Sequence, residues 1–348
     1  MDAVALAPLI DGVPYVGVSR GPIVESVHRV AACAVDRSGR AILTLGAVDV
    51  PVYLRSTAKP FIAAAAIAAG VVERFGLSSP EIAVMAASHN GEPQHVEAVR
   101  SILRKAAVAE SALRCGPHAP YDPAAARALV REGVAFSAIH NNCSGKHAGI
   151  LALSALLGAG LDGYLEPAHP AQQRILALCA RLCGLPLAAL PLGVDGCGIP
   201  VFATPLRNAA LAFSRFATLE GIDPADAGAL RVVRDAMVAN PFYVAGTDEF
   251  DTALMLAGGG RIAVKSGAEG VCGIAGIAGG TGLVLKVIDG AARACAPAAM
   301  AAIRRLDLLS ETELDRLEPF ARPLVVNRAG RTVGSIVPLA VPGAANGT

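Results

Sequence analysis

With 348 residues, 53% of them hydrophobic but only 4% aromatic and none of them Trp, the chain has room for one large domain or two ordinary ones around a sizeable core. A net charge of +1, with acidic and basic residues interleaved and no basic stripe carrying aromatics, excludes nucleic acid as an expected partner. The mean hydropathy of +0.51 reflects abundant Ala and Gly; the uncharged run 60–72 is too short to cross a bilayer and 270–285 is broken by glycines, so no membrane span is expected.

Strand texture comes first: 29–36 and 41–47 flank Arg37-Ser38-Gly39-Arg40, a hairpin turn. From Ser56 the texture is helical for about two hundred residues. Polar caps followed by Pro mark helix starts at Ser79-Pro80, Glu92-Pro93, Asp122-Pro123, His169-Pro170 and Asp223-Pro224, and Thr247 is expected to cap a helix running to Leu256. Strands return at 261–266, 271–277 and 282–288. Helices follow at 297–306 and from Ser310, where Ser310 and Glu313 have capping-box spacing. A hairpin of 324–327 and 331–339 closes the chain, and the tail 343–348 is expected to be disordered.

This order predicts an α/β (α+β) fold: a sheet from N- and C-terminal strands with a largely helical middle region. No linker, repeat or charge block divides the chain, so 1–342 reads as a single two-lobed catalytic unit. The sheet lobe spans about 13–55 and 258–342, the helical lobe about 56–257. The segment 1–15 holds Asp2 and Asp11 but no Lys or Arg, so it lacks the basic start of a secretory signal and the expected location is cytoplasmic. Eight cysteines then read as core residues, metal ligands or nucleophiles rather than disulfides.

Ser56-Thr57-Ala58-Lys59 is the first segment with chemistry in it. Spacing i, i+3 puts the Ser hydroxyl and the Lys amine on one helix face. A serine becomes a nucleophile when a base takes its proton, and a lysine is that base only when neutral, a state favoured by burial and by the positive end of a helix dipole. The apolar run 60–69 makes such burial plausible. Alone, S-x-x-K is more often a capped helix with a solvated lysine. Ser88-His89-Asn90 and Lys265-Ser266-Gly267 follow, each at the end of an element. The ordered set resembles the three-motif signature of serine β-lactamases and penicillin-binding proteins, with His89 where that pattern has Asp. Ser88 could pass a proton between Lys265 and the leaving group, and Lys265 could set positive charge near an oxyanion.

Cys143 and Cys197 lie in Gly- and Asn-rich loops, unlike Cys33, Cys179, Cys183 and Cys272, which sit in apolar runs and are assigned to the core. A strand-like run at 135–140 precedes Cys143, and a helix at 148–157 follows it. Thiolates suit zinc, His147 is four residues from Cys143, and Lys146 would have to be deprotonated to serve. The residues by themselves leave a metal site, a reactive thiol and a plain polar loop all open.

Taken together these segments resemble the rhizobial-type, class 3 or "asparaginase II", L-asparaginases. The resemblance is carried by Arg55-Ser56-Thr57-Ala58-Lys59-Pro60, Ser88-His89-Asn90-Gly91-Glu92, Asn142-Cys143-Ser144-Gly145-Lys146-His147, Gly193-Val194-Asp195-Gly196-Cys197-Gly198 and Lys265-Ser266-Gly267-Ala268-Glu269-Gly270. It implies a serine β-lactamase-like fold, hydrolysis of L-asparagine to L-aspartate and ammonia, and a homodimer. It implies two Ser-Lys tandems, Ser56 with Lys59 and Ser88 with Lys265, with Ser56 the expected nucleophile and Lys59 its base. It implies zinc on Cys143, Lys146, Cys197 and water, not needed for the chemical step. Arg55, His147 and Asp195 are expected to contact substrate or support the site. Ser266 departs from the expected Gly. The alternatives are a β-lactamase or penicillin-binding-protein-like serine hydrolase, a glutaminase, and a non-enzymatic zinc-stabilised scaffold.

Overall fold

Residues 10–340 are described by the computed structural model, and the tail 343–348 lies outside them. The strands are β1 (Val13–Arg20), β2 (Ile23–Val35), β3 (Ala41–Leu45), β4 (Pro51–Tyr53), β5 (Leu192–Val194), β6 (Pro200–Pro205), β7 (Ile262–Gly267), β8 (Val271–Gly276), β9 (Thr281–Val287), β10 (Leu324–Val326) and β11 (Thr332–Pro338). Between β4 and β5 run the helices α1 (Lys59–Ala68), α2 (Val71–Phe75), α3 (Ser79–Met85), α4 (Pro93–Lys105), α5 (Pro123–Arg131), α6 (Ser144–Leu157) and α7 (Pro170–Cys183). After β6 come α8 (Leu206–Thr218), α9 (Pro224–Ala239), α10 (Pro241–Val244) and α11 (Phe250–Gly258); α12 (Cys295–Arg305), α13 (Glu311–Arg316) and α14 (Glu318–Ala321) precede β10.

The main sheet is antiparallel, in the order β10-β11-β1-β2-β9-β8-β7 with β3 also on β2. Its strands come from both ends of the described chain, as the order of textures predicts. β8 is buried along its whole length and β9 nearly so, because helices cover both faces. Gly273 turns toward Phe213 of α8, whereas Gly276 turns toward Leu308 beyond α12. Helix α8 lies so close to the sheet that a Cβ on Gly282 would come within 2.0 Å of the Ala210 carbonyl oxygen and 2.2 Å of the Ser214 nitrogen. With few aromatics available, this close backbone approach is how the core fills.

Helix α1 is the axis of the helical region. From Lys59 to Ile67 every residue is buried, which is the pattern of a helix surrounded by others; α6, α7 and α9 are its neighbours. Phe61 bridges to α8, its ring centroid 5.2 Å from Phe213 and 5.9 Å from Phe216 in edge-on contacts.

The Pro-led helix starts are all present, at α3, α4, α5, α7 and α9, with Asp122, His169 and Asp223 accepting a backbone N–H as caps. Ser310 and Glu313 form the expected capping box. Two expectations fail. The run 135–140 is not a strand: its end is a short 3-10 turn, Ala138–His140, closed by reciprocal Ser137 and His140 bonds. Thr247 does not cap α11, which starts at Phe250 after Glu249; its N–H and hydroxyl donate instead to the Glu92 carboxylate at 2.8 and 2.9 Å. A second sheet, β4-β6-β5, was not expected at all. All eight cysteines are buried and free. Among the described residues no helix is long and apolar enough to cross a membrane.

Two glycine substitutions test this packing with opposite signs. Gly282→Ala drives a methyl into the α8 backbone and is expected to cost about 1–3 kcal/mol or more. Gly228→Ala, in the exposed interior of α9 with nothing within 4 Å of the new Cβ, is expected to stabilise by about 0.5–1 kcal/mol. Denaturant midpoints of both variants measure the pair; equal midpoints would refute the account of the sheet–helix contact.

Candidate active site

The small sheet builds one wall. Registers Tyr53↔Ala203 and Leu192↔Phe202 place the ends of β4 and β5 on either side of β6. Arg55, just after β4, thereby meets Asp195, just after β5, with Nε donating to Oδ1 at 2.6 Å. Arg55 also takes the left-handed backbone conformation, φ +49°, one that side-chain-bearing residues adopt at a cost and that gathers at functional sites. The chain then makes a 3-10 turn, Arg55–Ala58, before α1 begins. Thr57 pins that turn, its hydroxyl donating to the Leu54 carbonyl at 2.6 Å. Ser56 is half-buried at the turn. Gly267, at the end of β7, packs against it: a Cβ there would sit 3.2 Å from the backbone nitrogens of Ser56 and Thr57. The glycine of the Lys-Ser-Gly motif thus allows close approach of two backbones.

Lys59, at the first position of α1, is 1% exposed. Its Nζ lies 2.7 Å from the Ala87 carbonyl, 2.9 Å from the Ser88 hydroxyl and 3.4 Å from the Asn142 carbonyl. Burial pushes the amine down to about 8; Lys146 and Lys265 push the same way and the Cys143 thiol opposes them. The amine donates to the two carbonyls and to the Ser88 hydroxyl, and when deprotonated it has one lone pair with which to take a hydroxyl proton. The loop carrying Ser88 is pinned by backbone bonds from Ser88 to Val244 and from Asn90 to Ala245.

Lys265 is buried on β7 and its Nζ donates to Asp251 Oδ2 at 3.2 Å and to the Ser266 carbonyl at 2.7 Å. The hydrogen-bonded pairs are therefore Lys59 with Ser88 and Lys265 with Asp251, rather than Ser88 with Lys265. Sequence reading missed Asp251. Its signal was present: it is the single charged residue of Phe250–Gly258, an otherwise apolar helix.

Beside Lys59, Cys143 caps α6, Lys146 and His147 stand in its first turn, and Cys197 lies in the loop between β5 and β6. The Lys146 Nζ is 2.8 Å from Cys197 Sγ and 3.8 Å from Asp195 Oδ2. Cys143 is held well below the usual thiol range, first by a hydrogen bond from Cys197, then by Lys146 and Lys59 against the opposing effect of burial. Cys197 is pushed up, first by that same bond to Cys143 and then by burial. Burial would discharge Lys146, but Cys143, Cys197 and Asp195 outweigh it and hold it above the usual lysine range. Two thiols and an amine converging in a buried pocket are a donor set that suits zinc. Among the described residues no group of three or more His, Cys, Asp and Glu is arranged to hold a metal ion, so a site here depends on the lysine.

His147 is buried and neutral, its pKa lowered by burial and then by Lys146 and Lys59. The Arg114 N–H donates to the Tyr164 hydroxyl at 2.8 Å, and that hydroxyl is 2.7 Å from His147 Nδ1. If the hydroxyl donates to Nδ1, the ring proton sits on Nε2, which has no partner in the described structure. His89 is tied away from the lysines, its Nε2 2.9 Å from the Ser144 hydroxyl and its ring stacked 5.2 Å from His95. Because Ser144 donates to the Ile139 carbonyl at 2.9 Å, His89 is the donor in their bond. The residue standing where the β-lactamase pattern has Asp thus braces the start of α6.

The sequence model of the family described as L-asparaginase II matches residues 16–338. No curated protein matches the chain. Among solved structures, the crystal structure of Mglu is similar with a TM-score of 0.37 at 15% identity, over 81% of this chain and 67% of that one. A Bacteroides dorei DSM 17855 protein provisionally described as a beta-lactamase is similar with a TM-score of 0.39 at 14% identity, over 79% of this chain and 93% of that one.

The wall formed by Arg55 and Asp195 is testable by Asp195→Asn. The change keeps shape but removes the anion that faces both Arg55 and Lys146. Stability is expected to fall by about 1–3 kcal/mol in a denaturant titration; an unchanged midpoint would mean that this pair does not hold the two loops together.

Proposed function

The chain belongs to the L-asparaginase II family and is on that ground an amidohydrolase of the asparaginase kind; from this premise we propose that it hydrolyses the side-chain amide of L-asparagine through Ser56 activated by Lys59. The carrying observation is the state of Lys59. It is a buried amine, brought to about 8 by burial, one turn from Ser56 and 2.9 Å from the Ser88 hydroxyl. At neutral pH such an amine has a far larger neutral fraction than an ordinary lysine, and in that form it can take a hydroxyl proton.

In this mechanism Lys59 accepts the Ser56 proton as the serine oxygen attacks the amide carbon. Backbone N–H groups at the start of the helix hold the oxyanion, and Lys265 adds positive charge nearby. The proton on Lys59 passes along the observed bond to Ser88, and Ser88 gives its own to the departing nitrogen, so ammonia leaves and a Ser56 ester remains. Water then attacks that ester as Lys59 takes its proton, the Ser56 ester bond breaks with that proton returned from Lys59 to the serine oxygen, and L-aspartate is released. Arg55 and His147 are proposed to receive the amino-acid end of the substrate, the unpartnered Nε2 of His147 supporting that role; Asp195 orients Arg55. Zinc would be held by Cys143, Lys146 and Cys197. When bound it would supply a fixed positive charge and tie the α6 start to the β5–β6 loop. We further propose a homodimer, measured by light scattering.

Ammonia release from L-asparagine, with L-glutamine in parallel because one methylene in a pocket is worth only about 1–3 kcal/mol, tests the proposal. Ser56→Ala and Lys59→Met are expected to lower kcat by at least about a thousandfold. Ser88→Ala is expected to lower it by about a hundredfold. Folded variants that turn over asparagine as fast as the unaltered protein would overturn the assignment. For the metal, elemental analysis is expected to find zinc, and a strong chelator to raise KM while leaving most of kcat. Loss of kcat instead would give the metal a part in the chemical step.

A further inference from the structure

Lys265 and Asp251 form a buried ion pair, 1% and 4% exposed. Removing a carboxylate and an ammonium from water is unfavourable unless each finds partners. Asp251 is fully provided for: besides Lys265 at 3.2 Å, its Oδ2 accepts the Ser266 N–H at 2.8 Å and its Oδ1 accepts the Ser266 hydroxyl at 2.5 Å. Both Ser266 contacts come from the residue next to Lys265 on β7, and Asp251 comes from α11, so the carboxylate clasps the strand at the lysine. Ser266 is the one position of the Lys-Ser-Gly motif that departs from the expected Gly, and its hydroxyl is spent on this carboxylate. The departure and the buried acid explain one another.

We propose that Asp251, gripped by Ser266, is a positioning residue that holds the Lys265 side chain in an ion pair and aims it, so that Lys265 serves the reaction as a fixed cation. The proposal deepens the functional reading above and rests on it. It separates the two lysines for a structural reason: Lys265 has a carboxylate at hydrogen-bond distance, whereas Lys59 bonds to two carbonyls and a hydroxyl and has no carboxylate partner.

The test compares the charge-retaining Lys265→Arg with Lys265→Met, and Asp251→Asn with Ser266→Gly. Each is assayed for kcat and KM on L-asparagine and for the rate at which p-nitrophenyl acetate acylates the protein, followed by intact mass. Lys265→Arg is expected to keep at least about a tenth of kcat, because a guanidinium carries the charge permanently, and Lys265→Met to lose at least about a hundredfold. Asp251→Asn is expected to lower kcat and the acylation rate at least about tenfold with KM within about twofold, and Ser266→Gly to lower both by about two- to fivefold. Equal rates for Lys265→Arg and Lys265→Met, or an Asp251→Asn variant with unchanged kcat and acylation, would overturn the proposal while leaving the Ser56 and Lys59 assignment standing. If Asp251→Asn does not fold, the Lys265 pair and Ser266→Gly decide. A wild type that neither releases ammonia nor is acylated would overturn the functional reading and this proposal with it.

Discussion

An amine at the first turn of a helix that is buried on every side has lost its water, and the rest of the site follows from that loss. Lys59 cannot reach solvent because α1 is apolar from Pro60 to Ile67 and is enclosed by α6, α7 and α9. What replaces water is chiefly a set of neutral acceptors, the Ala87 and Asn142 carbonyls and the Ser88 hydroxyl, with the nearby Cys143 sulfur opposing the loss. Neutral acceptors stabilise an ammonium less than bulk water does, so the proton is held less tightly. An α1 with one polar face would admit water and let the proton be held more tightly.

Each element around Lys59 has a packing reason to stay where it is. The α8–sheet contact, close enough to need Gly282, fixes the base of the helical region on β9. The β4-β6-β5 sheet ties Arg55 to the loop bearing Asp195 and Cys197. Gly267 lets β7 press its backbone against the Ser56 turn, which brings Lys265 toward the same place from the other side. The site is thus a junction of elements distant in sequence, and its charges alternate: cations on Lys146 and Lys265 and anions on Asp195 and Asp251, with Lys59 between them lacking a carboxylate partner.

This alternation explains how several lysines share one small volume. Left unpaired, buried like charges would discharge one another. Lys146 is held charged by Cys143, Cys197 and Asp195, and Lys265 is bonded to Asp251. At Lys59 the effect of burial is not outweighed, and its Nζ lies 2.9 Å from the Ser88 hydroxyl, placed to exchange a proton with it.

The sequence by itself determined the arrangement of textures, and with it a sheet from both chain ends around a helical middle, because hydrophobic period and Pro-led caps are local signals. It also carried the chemistry-bearing residues, since a Ser-Lys step on one helix turn and a Cys-x-x-Lys step on another are set by spacing along the chain. What it could not carry was partnership across the chain. That Ser88 bonds Lys59, that Asp251 clasps Lys265, and that 135–140, strand-like in composition, finds no strand to pair with are all decided by which elements lie beside one another. The small sheet escaped notice for the same reason, its strands Pro51–Tyr53 and Leu192–Val194 being too short to announce themselves without the partner between them. Burial, which lowers the proton affinity of Lys59, belongs to the folded whole and is written in no single segment.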